Sequence, residues 1–144
     1  MEIKSLSSDL SVAPQISPED VNTIAAEGFR TLINNRPNGE APGQPSGDTI
    51  AQASESAGLD YKFQPVISGG FTLQDVEEFG QLLEAAEKPA LAYCRTGTRC
   101  TMLWALSQAG KMDTDDIIEA AENAGYDLSG MRGQINHLAE QRNS

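Results

Sequence analysis

Six consecutive residues, Cys94-Arg95-Thr96-Gly97-Thr98-Arg99, bring a thiol, two guanidinium groups and a glycine together, and Cys100 follows at once. An apolar run, "PALAY", leads into this stretch, and "RCTMLWALSQAG" continues from it with helical spacing. A free thiol at neutral pH is mostly protonated, whereas the reactive form is the thiolate. The start of a helix offers unpaired backbone N–H groups and roughly half a positive charge. Arg95 and Arg99 add to that potential, so Cys94 is a candidate nucleophile in a cationic loop that could also clamp an anion. The same groups suit an incoming phosphate or sulfate, because oxyanions bind helix N-termini and guanidinium forks. Gly97 lets the backbone turn inward where a Cβ would obstruct the approach. Arg95, Thr96, Gly97, Thr98 and Cys100 are therefore candidate substrate-binding residues.

The whole chain must support such a pocket. Its 144 residues read as one domain, with 39% hydrophobic and 22% charged residues, the balance of a globular protein. The formal net charge is −11. That excludes nucleic acid and anionic membranes as natural partners, since binding either rests on Lys and Arg. A small anionic substrate or a phosphorylated protein is expected instead, at a local cationic pocket on an acidic body; the oligomeric state stays open. No apolar run is long enough to span a bilayer, and the N-terminal residues lack a basic segment followed by an apolar one. Two cysteines in such a chain point to free thiols and a cytoplasmic location. One histidine and two cysteines make no recognisable metal set, and no cofactor is expected.

The elements alternate. Short strands are expected at "IKSL", "LSVAP", "RTLINN", "DYKFQPVI" and "PALAYC". Ser17 caps a helix over "PEDVNTIAAEGF", with Pro at its first position and acids in its first turn. "DTIAQASESAG" reads as a helix capped by Asp48, and Thr72 with Asp75 forms a capping box for the helix that follows. Helices are also expected from Thr98 to Gly110, behind Asp113 and behind Ser129. Residues Asn34 to Asp48, dense in Pro, Gly and Asn, form a long ordered loop of the kind that carries function. Arg36 in that loop is a further candidate substrate contact. Strands separated by helices predict an α/β fold with a mostly parallel sheet of about four to five strands. Ligands gather beyond the carboxyl ends of such strands, where Cys94 lies. His137 and the pair Met102 and Trp104 read as packing or surface residues on helices.

The stretch "AYCRTGTRCTMLWAL", with "LINNRPNGEAPGQP" and "FQPVISGGFTLQDVEEF", resembles the phosphatase-like domain of beta-lactamase-hydrolase-like proteins, a bacterial family with the tyrosine/dual-specificity phosphatase fold. The resemblance covers most of the chain. It implies a central sheet flanked by helices, Cys94 as nucleophile and Arg99 as the group holding the substrate oxygens. Its members resemble either phosphatases or rhodanese-type sulfurtransferases.

The tyrosine phosphatase pattern is His-Cys, five residues, Arg, then Ser or Thr. Here Tyr93 replaces the histidine, and four residues separate Cys94 from Arg99. Counted without a gap, Cys100 and Thr101 fall on the arginine and hydroxyl positions; counted with one deletion, Arg99 and Cys100 do. The general acid, expected just after "FQPV", meets only Ile67, Ser68, Gly69 and Gly70. Asp75 and Asp48 read as helix caps. The first expectation is a cysteine-dependent phosphatase acting on a phosphomonoester. A sulfurtransferase forming a Cys94 persulfide needs no such acid and is the alternative. A non-catalytic module that binds an anion or a phosphorylated partner is a second alternative.

Overall fold

Three runs in the chain are apolar enough to be strands covered on both faces, and they become the middle of the sheet. In the computed structural model, which describes residues 1–143, these are β2 (Leu10–Ala13), β3 (Thr31–Asn34) and β5 (Ala90–Tyr93), every residue of each buried. The edges are β1 (Lys4–Ser5) and β4 (Asp60–Phe63), which are largely exposed or half-buried. The strand order is β1-β2-β5-β3-β4; all pairs are parallel except β1 with β2.

Side chains alternate across the sheet, so each strand feeds two cores. Leu91 and Tyr93 of β5 and Leu32 of β3 face one side, where they meet Val21, Ile24 and Ile50. Those partners come from α1 (Pro18–Ala26) and α2 (Gly47–Ala57). Ala90 and Ala92 of β5 and Ile33 of β3 face the other side. There they pack beneath α3 (Leu73–Ala85), α4 (Thr98–Gln108), α5 (Thr114–Asn123) and α6 (Arg132–Arg142). The α4 helix carries Cys100, Leu103, Trp104, Ala105 and Leu106, all buried. A helix covered all round belongs in the interior, and α4 has α3, α5 and α6 against it.

The helix starts follow their sequence signals with two corrections. Ser17 and Thr72 form capping boxes with Asp20 and Asp75. The cap of α2 is Ser46, whose hydroxyl accepts from the Thr49 N–H, so Asp48 belongs to the first turn instead. Ser129 does not cap a helix. It opens a single 3-10 turn, Ser129–Met131, before α6 begins at Arg132. Among the described residues no helix is long and apolar enough to cross a membrane.

The register explains where a site can form. Ala13, Tyr93 and Asn34 lie side by side as the last residues of three parallel strands. Three segments therefore leave the sheet at one edge: Pro14-Gln15, Asn35-Arg36 and Cys94-Arg95. Their first backbone bonds continue the ladder, from Cys94 N–H to the Ala13 carbonyl and from Asn35 N–H to the Tyr93 carbonyl. Leu91 at the centre should be sensitive to truncation. Leu91→Ala is expected to cost about 2–5 kcal/mol, read as a lowered urea midpoint.

Candidate active site

The chain leaves β5 at Tyr93 and must enter α4 at Thr98 within four residues. Gly97 makes this turn as the N-cap residue in a left-handed conformation, φ +89°, with no side chain to cap the helix. The first-turn N–H groups are thereby left to the loop in front of them. Cys94 occupies that position, buried to 1% exposure. Its Sγ accepts the Gly97 N–H at 3.1 Å. It also receives the N–H groups of Thr96 and Cys100, and the Cys100 thiol.

These donors set the ionisation of the pair. The hydrogen bond from the Cys100 thiol is the largest influence; together with the backbone donors it outweighs burial and brings Cys94 down to about 5. Cys100 moves the other way: complete burial, the hydrogen bond it gives and the adjacent thiolate charge hold its own proton on. Two sulfurs thus share one proton at neutral pH, with the charge on Cys94. Cys100 thus serves as a donor to Cys94 from the first turn of α4.

Arg99 lies in the first turn of α4 rather than in the loop. Glu40 grips it end-on, Oε1 to Nη2 and Oε2 to Nη1, both at 3.2 Å, and the Val66 carbonyl accepts from Nη1 at 2.9 Å. Burial works to raise the Glu40 carboxyl, but hydrogen bonds and charge from Arg99 and Arg36 outweigh it and hold it below its ordinary value. The Arg99 Nε is buried and has no hydrogen-bond partner among the described residues. Arg36 stands behind this clamp, with Nε on Glu40 Oε1 at 2.9 Å and Nη1 on Gln15 Oε1 at 3.0 Å. It orders the clamp and does not line the cavity in front of Cys94.

That cavity has a volume of about 340 Å³, the size of a small-molecule site. It is lined by Cys94, Arg95, Thr96 and Thr98 of the loop and helix start, by Arg99 and Met102 of α4, and by Ser68, Gly69 and Phe71. Two guanidinium groups face it and no carboxylate does. The segment after "FQPV" therefore does reach the site, and brings Ser68, Gly69 and Phe71 but no acid. Asp75 is held in its capping box with Thr72. His137 lines a separate groove between α3 and α6. A larger cleft of about 460 Å³ between β4 and α3 holds neither cysteine nor arginine.

Sequence reading missed Glu40, Gln15 and Asn35. The spacing of Arg36 and Glu40 is that of a helical ion pair, but it falls in an irregular loop where such spacing carries no meaning. Gln15 has no signal at all, because only the register of β2 beside β5 brings it to the site.

A family model for the beta-lactamase hydrolase-like protein, phosphatase-like domain, matches residues 2–111. The chain belongs to this family. It is 38% identical over 121 residues to a beta-lactamase hydrolase-like protein of Agrobacterium fabrum, covering 83% of the chain and 28% of that protein. A protein of the same name from Xylella fastidiosa (strain Temecula1) is 35% identical over 130 residues, covering 89% of the chain and 30% of that protein. The chain thus spans less than a third of the length of these relatives. A crystal structure of a candidate phosphatase from Neisseria meningitidis superposes with a TM-score of 0.86 at 41% identity, over 96% of this chain and 99% of that one. At 15% identity and a TM-score of 0.65, the kinase associated phosphatase shares the fold, over 99% of this chain and 93% of its own. The phosphatase-like α/β architecture expected from the sequence is the one this family has.

Alkylation of Cys94 by iodoacetamide should be half-maximal near pH 5 in the folded protein, read by mass spectrometry. Because ionisation is favoured by folding, its contribution to stability is complete above the unfolded thiol pKa and is lost as pH falls through about 5. Cys100→Ala removes the leading donor, and the alkylation midpoint should rise toward the ordinary thiol range.

Proposed function

We propose that the protein is a cysteine-dependent phosphatase-like hydrolase, with Cys94 as nucleophile and Arg99 as the oxyanion clamp. The observation that carries this reading is the Cys94 sulfur, surrounded by four donors on the floor of a cationic cavity. A phosphoryl group entering the cavity places its oxygens against the loop N–H groups, between the Arg95 and Arg99 side chains. The Cys94 thiolate attacks phosphorus, the S–P bond forms, and the P–O ester bond breaks with its electron pair on the leaving oxygen. Water then attacks phosphorus, the S–P bond breaks, and the thiolate returns as inorganic phosphate leaves. Glu40 holds the Arg99 fork against the site, so binding costs little reorganisation. With no carboxylate lining the cavity, the favoured substrates are those whose leaving oxygen departs unprotonated, such as aryl phosphates. Among the structural neighbours, the kinase associated phosphatase has a cysteine named as its catalytic-site residue.

A second reading is favoured by the same missing carboxylate and by a thiol, Cys100, in place of a hydroxyl. In persulfide transfer the Cys94 thiolate attacks the outer sulfur of a donor such as thiosulfate. The new S–S bond forms as sulfite leaves with the old bond pair, and an acceptor thiolate later removes the outer sulfur. No proton donor is needed for a low-pKa leaving group.

Both activities are measurable on one preparation. Hydrolysis of p-nitrophenyl phosphate is expected in wild type and absent in Cys94→Ser. Arg99→Lys should lower kcat on the order of 10²-fold with the fold intact, because an ammonium cannot reproduce the fork. Sulfite release from thiosulfate without phosphate release would move the assignment to sulfur transfer. Phosphate binding with neither turnover would leave a binding module.

A further inference from the structure

The loop that holds Cys94 depends on the direction of two peptide groups, and one of them is fixed from outside by a side chain. In a trans peptide the carbonyl and the following N–H point to opposite sides. The Thr96–Gly97 peptide is trans. On its inner side the Gly97 N–H donates to Cys94 Sγ at 3.1 Å. On its outer side the Thr96 carbonyl accepts the hydroxyl of Tyr126 at 3.0 Å. The preceding peptide is arranged in the same way: the Arg95 carbonyl accepts the Gln15 N–H at 3.3 Å, while the Thr96 N–H faces the thiolate. That second anchor is backbone. The first is a phenol that one substitution can remove.

We propose that Tyr126 is a positioning residue for the anion cradle: its hydroxyl pins the Thr96 carbonyl outward and so keeps the Gly97 N–H turned onto the sulfur and onto any oxyanion bound there. The inference rests on the reading of Cys94 as a working thiolate.

Several features of the chain serve this contact. Gly125, at φ +97°, ends α5 in a reverse turn in which Gly125 N–H bonds the Glu122 carbonyl and Tyr126 N–H the Ala121 carbonyl. This pair of bonds is the Schellman ending of a helix, and it delivers the next side chain to a fixed place. The Tyr126 ring is half-buried against the large core cluster, and its hydroxyl lies over Gly97. A Cβ at Gly97 would overlap that hydroxyl, so the glycine is required by the tyrosine as well as by its own positive φ. The hydroxyl is also kept as a donor. Burial, and then the negative charge at Cys94, raise its pKa above the ordinary phenol value. A hydrogen bond given to a peptide carbonyl polarises the amide and strengthens the N–H on its far side. Arg95 and Arg99 from the loop and α4, Cys100 from α4 and Tyr126 itself are the titratable groups set around the sulfur; Glu40 lies behind Arg99.

Tyr126→Phe keeps the ring and deletes the donor. The pH dependence of Cys94 alkylation by iodoacetamide is measured in wild type, Tyr126→Phe and Leu91→Ala, with thermal melting alongside. Leu91→Ala serves as a destabilised control, since Leu91 packs in the core on the opposite face of the sheet from Cys94 and Tyr126. The expected result is a Tyr126→Phe midpoint higher than wild type by roughly half to one pH unit, the effect of one hydrogen bond. The Leu91→Ala midpoint stays at the wild-type value, and inorganic phosphate protects Cys94 less well in Tyr126→Phe than in wild type. A Tyr126→Phe midpoint equal to that of wild type overturns the role of Tyr126 and leaves the thiolate reading standing. An equal rise in Leu91→Ala overturns it too, by reducing the effect to lost stability. A wild-type midpoint already at the ordinary thiol value overturns the thiolate reading, and this inference with it.

Discussion

A charge buried to 1% exposure is tolerated only when donors replace the water it has lost, and Cys94 has four. Three are backbone N–H groups, which can converge only if the chain reverses tightly between strand and helix. That demand accounts for much of the local structure. It fixes Gly97 in the left-handed region and leaves α4 without a side-chain cap. It also requires the neighbouring carbonyls to be satisfied outward by other segments. The parallel register of β2, β5 and β3 supplies those segments, since all three strands end at one edge. A different strand order would leave the Arg95 carbonyl without Gln15 and Arg99 without the Asn35–Glu40 segment.

The electrostatics of the site run against those of the molecule. A chain with a formal charge of −11 places Arg36, Arg95 and Arg99 within one corner. Bringing like charges together requires a counterion, and Glu40 is shared between Arg36 and Arg99. One carboxylate between two guanidinium groups leaves a net positive site while holding both in place. The surrounding acidic surface repels anions at long range, but that field is screened within about 10 Å at moderate salt. Inside the cavity the cations and N–H groups decide.

Much of this was legible along the sequence, where signals are local. The strand before Cys94, the glycine at the turn, the capping box of Thr72 and Asp75, and the alternation of strands and helices are all encoded by near neighbours. Asp48 was misassigned because Ser46, two residues earlier, is an equally good cap and competes for the same helix start. Arg36 carried the right chemistry, but its direction is set by Gln15 and Glu40, and no local rule states which side of a loop an arginine takes. Glu40 and Tyr126 were invisible for a related reason. Each acts across tens of residues, on Arg99 and on Thr96, through packing that only the folded sheet creates.

The replacement of a hydroxyl by Cys100 has a consequence for how the loop can work. A thiol is a weaker donor than a hydroxyl, yet here it makes the leading contribution to lowering Cys94. It does so because complete burial and the adjacent negative charge keep its proton on. In the proposed reaction a covalent bond from Cys94 to phosphorus or to a second sulfur would remove its charge, and with it part of the reason for Cys100 to remain so firmly protonated. Departure of the transferred group would restore the thiolate and its hydrogen bond together. Under that proposal the thiol pair would stabilise Cys94 most strongly at the moment of release, which would favour turnover over a persistent covalent intermediate.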